Sequence, residues 1–147
     1  MNRKYFSVLL VVQFLMVSGA FATQPDRTKT PGVLCTEDDP DFSEYRYPEH
    51  IPYCERNVDQ SKKQKVADEY GIPKSDWSKY EFDHLIPLGI GGSSDIRNIW
   101  PQPKLEALEK DKVEQQVFNG MQSGKMTQAE AVKMIWDWID EHYKDER

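Results

Sequence analysis

The chain has 147 residues, of which 38% are hydrophobic and 30% are charged, and its net charge is −6 at neutral pH. This length suits one domain with appendages, and the apolar fraction excludes a wholly disordered polymer. Two cysteines are too few for a disulfide-dense miniprotein. The acidic balance argues against a protein that coats nucleic acid or an anionic membrane through bulk charge.

The first segment has the pattern of a secretory signal peptide. Arg3 and Lys4 precede an apolar run over residues 8–17, and Ala20 and Ala22 form a small-x-small cleavage site. An uncleaved membrane anchor is the alternative, but the run is shorter than the ~20 residues that span a bilayer. We expect cleavage after Ala22, which leaves a more acidic product because the segment carries basic and no acidic residues. The processed product is expected to be periplasmic or secreted, free of the membrane and monomeric.

Export places the only two cysteines, Cys35 and Cys54, where thiols oxidise. We predict one disulfide between them, within an irregular, extended N-terminal arm over residues 23–56 whose prolines forbid a continuous helix or a central strand. Two free thiols or half of a zinc site are the alternatives, although no CxxC spacing supports zinc.

Helical and strand-like patterns alternate from Asn57 onward, so residues 57–147 are expected to form an α+β domain. Asn57 or Asp59 can cap the first helix, which ends at Gly71, and the capping box of Thr127 and Glu130 opens a C-terminal packing helix. The elements predicted between them are a strand over 80–86, a glycine-rich loop, a strand over 96–100 ended by Pro101 and Pro103, and a helix over 104–119 stopped by Gly120.

Asp83 and His84 stand next to each other where the first predicted strand ends before that loop. A carboxylate is a hard ligand for a divalent cation, and a neutral imidazole can take a proton from an attacking water. Neighbours in a strand point to opposite faces, so the two side chains can meet at one site only if the strand ends or bends there. This pair suits metal-assisted phosphodiester hydrolysis.

Residues 81–103 contain, in order, Asp-His-x-x-Pro-Leu, a Gly-Gly loop and Asn-Ile-Trp-Pro. This segment resembles the HNH branch of the ββα-metal endonucleases, and more narrowly small exported bacterial proteins of that type. The Lys-Asp-x-x-Glu sequence over 110–114 and the tryptophan-containing tail helix extend the likeness over about residues 54–140. The resemblance implies a β-hairpin with a long loop, followed by a helix, that together clamp one divalent cation.

Carried over position by position, the resemblance makes Asp83 a metal ligand and His84 the general base. Asn98 matches the residue that holds the loop and helps to orient the histidine. The position that completes the metal shell in many relatives falls near Ala107, which cannot ligate, so a protein ligand remains to be identified.

The following helix offers candidates of its own, because Lys110 and Glu114 fall on its core-facing arc and Asp111 lies at the edge of that arc. One interpretation makes Glu114 or Asp111 a metal ligand and Lys110 a phosphate contact, with Arg97 as a second substrate contact. The alternatives are a structural salt bridge, or side-chain stems that extend their charged ends to water, since inward-facing charges must be paired or solvated.

We therefore expect an exported metal-dependent endonuclease that uses one divalent cation, Mg²⁺ in the first place and Mn²⁺ or Zn²⁺ as alternatives. The expected substrate is nucleic acid, with DNA favoured over RNA, and an inhibitor protein is left open as a further partner. The competing hypothesis is an exported binding or structural module that keeps the fold without catalysis. Because the chain is acidic, phosphates must be neutralised locally, by the cation and a basic strip that comprises Arg56, Lys62, Lys63, Lys65, Lys74 and Lys79.

Overall fold

A computed structural model describes residues 23–144 of the chain. The predicted signal peptide, residues 1–22, lies outside the described residues. The elements in chain order are β1 (Phe42–Arg46), β2 (Ile51–Cys54), α1 (Gln60–Tyr70), β3 (Tyr80–His84), β4 (Ile99–Pro103), α2 (Lys104–Gln122) and α3 (Gln128–His142). The α+β class expected from the sequence is confirmed, with two small antiparallel sheets, β1–β2 and β3–β4.

The N-terminal arm contains the hairpin β1–β2, which the sequence analysis did not predict. Pro52 lies within β2, opposite Tyr45 of β1. A proline is accepted there because each strand of a two-stranded sheet has a neighbour on one side, so the missing N–H faces away from the ladder. The predicted disulfide between Cys35 and Cys54 is confirmed, and it ties this hairpin to the chain that precedes it.

Helix α1 begins and ends where the sequence indicates. The Asp59 side chain accepts a hydrogen bond from the backbone N–H of Lys62, and Gly71 takes the left-handed conformation that closes the last turn. Val66 and Ala67 of α1 are buried against Phe82 of β3 and Ile99 of β4. The helix therefore covers one face of the β3–β4 hairpin.

The second strand of that hairpin was predicted to end at Pro101, and this is wrong. β4 runs from Ile99 through both prolines, with Pro101 opposite Phe82 and Pro103 opposite Tyr80. The physical reason is the same as in β2. β4 pairs with β3 alone, so its outer edge does not need backbone N–H donors. A 3₁₀ turn, Ile96–Asn98, replaces the predicted start of the strand.

Helix α2 follows β4 directly and passes through Gly120, which was predicted to stop it. Gly120 serves close packing instead, because a Cβ atom there would lie 3.0 Å from Cβ of Met126. The capping box at the start of α3 is confirmed, with the Thr127 side chain and the Glu130 side chain each bonded to the other's backbone N–H.

The main core lies between α2, α3 and the loop that joins β3 to β4. Its buried members include Leu85, Ile86, Trp100, Val117 and Ile135. The hairpin is thus held between α1 on one side and the α2–α3 pair on the other. Within residues 23–144, no helix has both the length and the apolar character needed to cross a bilayer.

Candidate functional site

A cavity of about 500 Å³ lies where the end of β3, the β3–β4 loop and α2 meet. Asp83 and His84 line it from the hairpin, Asp111 and Glu114 line it from α2, and Arg56 lines it from the arm. Four of the sequence-predicted site residues therefore share one cleft, although they come from segments far apart in the chain.

Asp83 and His84 reach the same cleft because β3 ends at His84. Within the strand their side chains alternate between faces: Asp83 is bonded to Lys110 of α2, whereas the His84 ring is bonded to Ser94 of the β3–β4 loop. The chain then turns at Pro87 into the β3–β4 loop. The cleft lies at this end of β3, where side chains from both faces of the strand line it.

Lys110 is fully buried, and its ammonium group joins α2 to the end of β3. Nζ lies 2.7 Å from Oδ2 of Asp83 and 2.7 Å from the backbone oxygen of His84, and it also donates to Glu114. Burial lowers the pKa of Lys110, but the carboxylates of Asp83 and Glu114 outweigh it and raise that pKa above its ordinary value. The lysine is therefore a positive charge fixed between two carboxylates, and it does not project into solvent towards a phosphate.

The hydrogen bonds around Ser94 determine which nitrogen of His84 carries the proton. The Ser94 hydroxyl donates its single proton to the backbone oxygen of Glu55 at 2.9 Å and accepts from the backbone N–H of Asn57 at 3.0 Å. The contact of 3.1 Å between Nε2 of His84 and Oγ of Ser94 must then have Nε2 as donor. The neutral ring consequently keeps its lone pair on Nδ1.

His84 is only 3% exposed, and desolvation lowers its pKa from 6.5 to about 4, against the opposing effect of Asp83. The ring is therefore neutral at pH 7. Its Nδ1 atom forms no hydrogen bond within residues 23–144, and this atom is not fully buried. His84 thus presents a free proton acceptor to the cleft that it lines.

Asn98 is buried and uses its whole carboxamide to close the β3–β4 loop. Oδ1 accepts from the N–H of Ile86 at 2.9 Å, and Nδ2 donates to the backbone oxygens of Ile86 and Ser93. Gly92 completes this closure, because a Cβ atom there would lie 1.9 Å from the Ile86 oxygen. Asn98 makes no hydrogen bond to the His84 ring, and Ser94 occupies the orienting position.

The remaining predicted residues are divided between the cleft and the surface. Glu114 and Asp111 both line the cleft, and Glu114 is the one bonded to Lys110. Arg97 is exposed and ion-paired with Asp95, and it does not line the cleft. Ala107 is buried and carries no ligand atom.

The basic strip is divided in the same way. Lys62 is bound by Asp41 and the backbone oxygen of Ser94, and Lys79 pairs with Asp76. Arg56 lines the cleft and bonds the backbone oxygen of Phe82 at 3.3 Å. The strip is therefore not one continuous phosphate-binding surface.

Within residues 23–144, three potential metal-ligating groups lie within 4.8 Å of one another at Cys35, Asp39 and Cys54. The two sulfurs are bonded to each other, so neither is a thiolate that could bind a metal. Asp83, His84 and Glu114 do not form such a close three-ligand group. They offer two carboxylates on a cleft, which is the kind of site that Mg²⁺ occupies together with water and substrate phosphate.

Sequence reasoning missed Ser94, which it assigned to the loop. No local pattern could have identified it, because its partners lie 10 and 39 positions away in the chain. Comparison of the chain with protein-family models, curated protein sequences and solved structures found no match.

Proposed function

We propose that the chain is an exported, metal-dependent endonuclease that hydrolyses phosphodiester bonds in nucleic acid, with the ββα-metal arrangement formed by β3, β4 and α2. The observation that carries the proposal is the neutral, buried His84, whose Nδ1 acceptor borders a cleft lined by three carboxylates and Arg56. A fixed proton acceptor beside negative ligands and a guanidinium is what hydrolysis of a phosphodiester requires.

The residues present fit a divalent cation of the Mg²⁺ type. Lys110 occupies Oδ2 of Asp83 and one oxygen of Glu114, which leaves the second oxygen of each carboxylate for a hard cation. Asp83 and Glu114 would hold the ion, with Asp111 at the cleft edge. When bound, such an ion polarises the phosphate and stabilises the leaving oxygen.

The chain's own residues supply the other functions. Nδ1 of His84 accepts the proton of an attacking water, and the Ser94 hydroxyl holds the ring by its Nε2–H. Asn98 keeps the loop closed behind the ring. Arg56 offers a cation to a phosphate oxygen in the cleft.

The competing function is an exported binding or structural module without catalysis, and the position of Lys110 favours it. An ammonium fixed between Asp83 and Glu114 neutralises much of the negative charge that would attract a metal. Under this hypothesis the cluster only joins α2 to the hairpin.

The test is an incubation of the purified protein with plasmid, single-stranded DNA and RNA in EDTA, Mg²⁺, Mn²⁺ or Zn²⁺. We expect cleavage that needs a divalent cation and falls at least about 100-fold in His84→Gln and Asp83→Asn. His142→Gln and Asp137→Asn, at surface positions of α3, are the matched controls and should cleave like the wild type.

Absence of cleavage under every condition, or equal cleavage by His84→Gln and wild type, would overturn the nuclease proposal in favour of the binding module. Thermal melts of each variant separate loss of chemistry from loss of fold.

A further inference from the structure

A second cavity, of about 400 Å³, adjoins the cleft on the other side of Asp83. Arg56 and Asp83 line both cavities, so the two form neighbouring parts of one surface depression. The wall of the second cavity is completed by α1, by the 3₁₀ turn Lys74–Lys79 and by the first residue of α2, through Lys63, Trp77 and Lys104 respectively.

Most basic side chains of this acidic protein are paired with carboxylates. Within residues 23–144, those that form no ion pair with a carboxylate are Arg56, Lys63, Lys65, Lys74, Lys104 and Lys125.

The unpaired cations are concentrated at the second cavity. Arg56, Lys63 and Lys104 line it, and the ammonium of Lys74 lies 5.7 Å from the ring centroid of Trp77 in its wall. Glu81 is the one carboxylate besides Asp83 among the lining residues. Unpaired cations that converge on a concave surface are what an anionic ligand requires.

We infer that this cavity, which we call the Lys63/Lys104 groove after two of its lining residues, binds backbone phosphates of a nucleic-acid strand whose scissile bond lies in the His84 cleft. The class of ligand rests on the proposed function. The shared Arg56 connects the two cavities, so a strand that leaves the cleft past Asp83 enters the groove. Lys63 and Lys104 come from different elements and neutralise phosphates there.

The groove also answers the difficulty posed by the net charge of −6. Local neutralisation needs few cations when they are unpaired, because each releases a counterion from the nucleic acid on binding. Paired cations such as Lys62 and Lys79 contribute little to this effect, since their charge is already balanced by Asp41 and Asp76.

The experiment measures binding of a fluorescein-labelled single-stranded DNA by anisotropy in EDTA, in the His84→Gln background so that the strand stays intact. A duplex of the same sequence forms the second arm. The double variant Lys63→Gln/Lys104→Gln is compared with Lys65→Gln/Lys125→Gln, which removes two equally unpaired cations that do not line this groove.

We expect the groove variant to bind about tenfold or more weakly at low salt, with the slope of log K against log salt reduced by about 1.4 for the single strand. The control variant should bind within about twofold of its parent. Equal losses in the two variants would show bulk charge only, and unchanged binding by the groove variant would overturn the groove.

The outcome is separable from that of the proposed function. Cleavage by the wild type with unchanged binding by the groove variant rejects the groove and keeps the nuclease. Selective loss of binding in the groove variant, without any cleavage by the wild type, keeps the groove and favours the binding module.

Discussion

The Nζ atom of Lys110 lies 2.7 Å from Oδ2 of Asp83, and the two residues join α2 to the end of β3 across 27 positions of sequence. The lysine side chain is completely buried, whereas Asp83 borders the cleft. This ion pair fixes the carboxylate that the proposed chemistry uses. Electrostatic attraction as well as apolar packing therefore holds α2 against the hairpin.

Lys110→Met is expected to destabilise the protein by about 3 kcal/mol, because it leaves the carboxylates of Asp83 and Glu114 without their buried counter-charge. Lys112→Met, on the exposed face of the same helix, should change stability by less than about 0.5 kcal/mol. Urea denaturation of both variants measures the difference, and similar values would contradict a stabilising role for the ion pair.

Lys110→Met should also bind a divalent cation more tightly if Asp83 and Glu114 are its ligands. Loss of one positive charge beside the site favours the cation by at least about tenfold in affinity. Titration calorimetry with Mn²⁺ measures this, with Lys112→Met as the control. An unchanged or weaker affinity would mean that these carboxylates do not hold the ion.

The stability of the protein should fall as the pH decreases from about 6.5 to about 4 through the titration of His84. Desolvation lowers the pKa of His84 in the folded state to about 4 from 6.5, so between these values the unfolded chain binds the extra proton. The resulting loss of folding stability is absent above pH 6.5 and reaches about 3 kcal/mol near pH 4.

The measurement is denaturation of the wild type and of His84→Asn at several pH values, with EDTA present. Subtracting one pH profile from the other removes the effect of the carboxylates, which titrate in both proteins. A wild type and a variant that lose stability equally between pH 6.5 and 4 would show that His84 is not buried in its neutral form.

Ser94→Ala should release the His84 ring from its single tautomer. Nitrogen NMR of the wild type is expected to show the proton on Nε2, since the Ser94 oxygen can only accept from it. In Ser94→Ala we expect a mixture of tautomers and about tenfold less cleavage. The control is Ser93→Ala, which removes an equally buried hydroxyl that bonds Asp39 and the backbone N–H of Asp95 and forms no hydrogen bond with the His84 ring.

Reduction of the Cys35–Cys54 disulfide is expected to lower stability by about 3 kcal/mol, given the 19 positions that separate the cysteines. The N–H of Cys35 donates to the oxygen of Gly91, so reduction should also loosen the β3–β4 loop. Thermal melts with and without dithiothreitol measure the first effect, and amide exchange at residues 91–93 measures the second. The double variant Cys35→Ser/Cys54→Ser should melt alike in both buffers.

Local signals in the sequence determined much of the secondary structure. The cap of α1 by Asp59, its end at Gly71 and the capping box of Thr127 and Glu130 each depend on hydrogen bonds within a few residues. Such bonds are formed by the same short segment in any tertiary context, so the pattern is sufficient. The prolines of β2 and β4 could not be interpreted from local pattern alone. A strand tolerates proline when it has no second neighbouring strand, and that depends on the tertiary structure.

The sequence by itself also brought out Asp83, His84 and Glu114 as candidates and predicted the disulfide. The tertiary structure alone decided what each of them contacts. Lys110 is buried between two carboxylates, Ser94 holds the His84 ring, and Arg97 is turned to Asp95, all through packing of segments that are distant in the chain. Residue types and spacing limit the chemistry that is available, but charge pairing and desolvation are properties of the folded neighbourhood, and these determine which side chains can act.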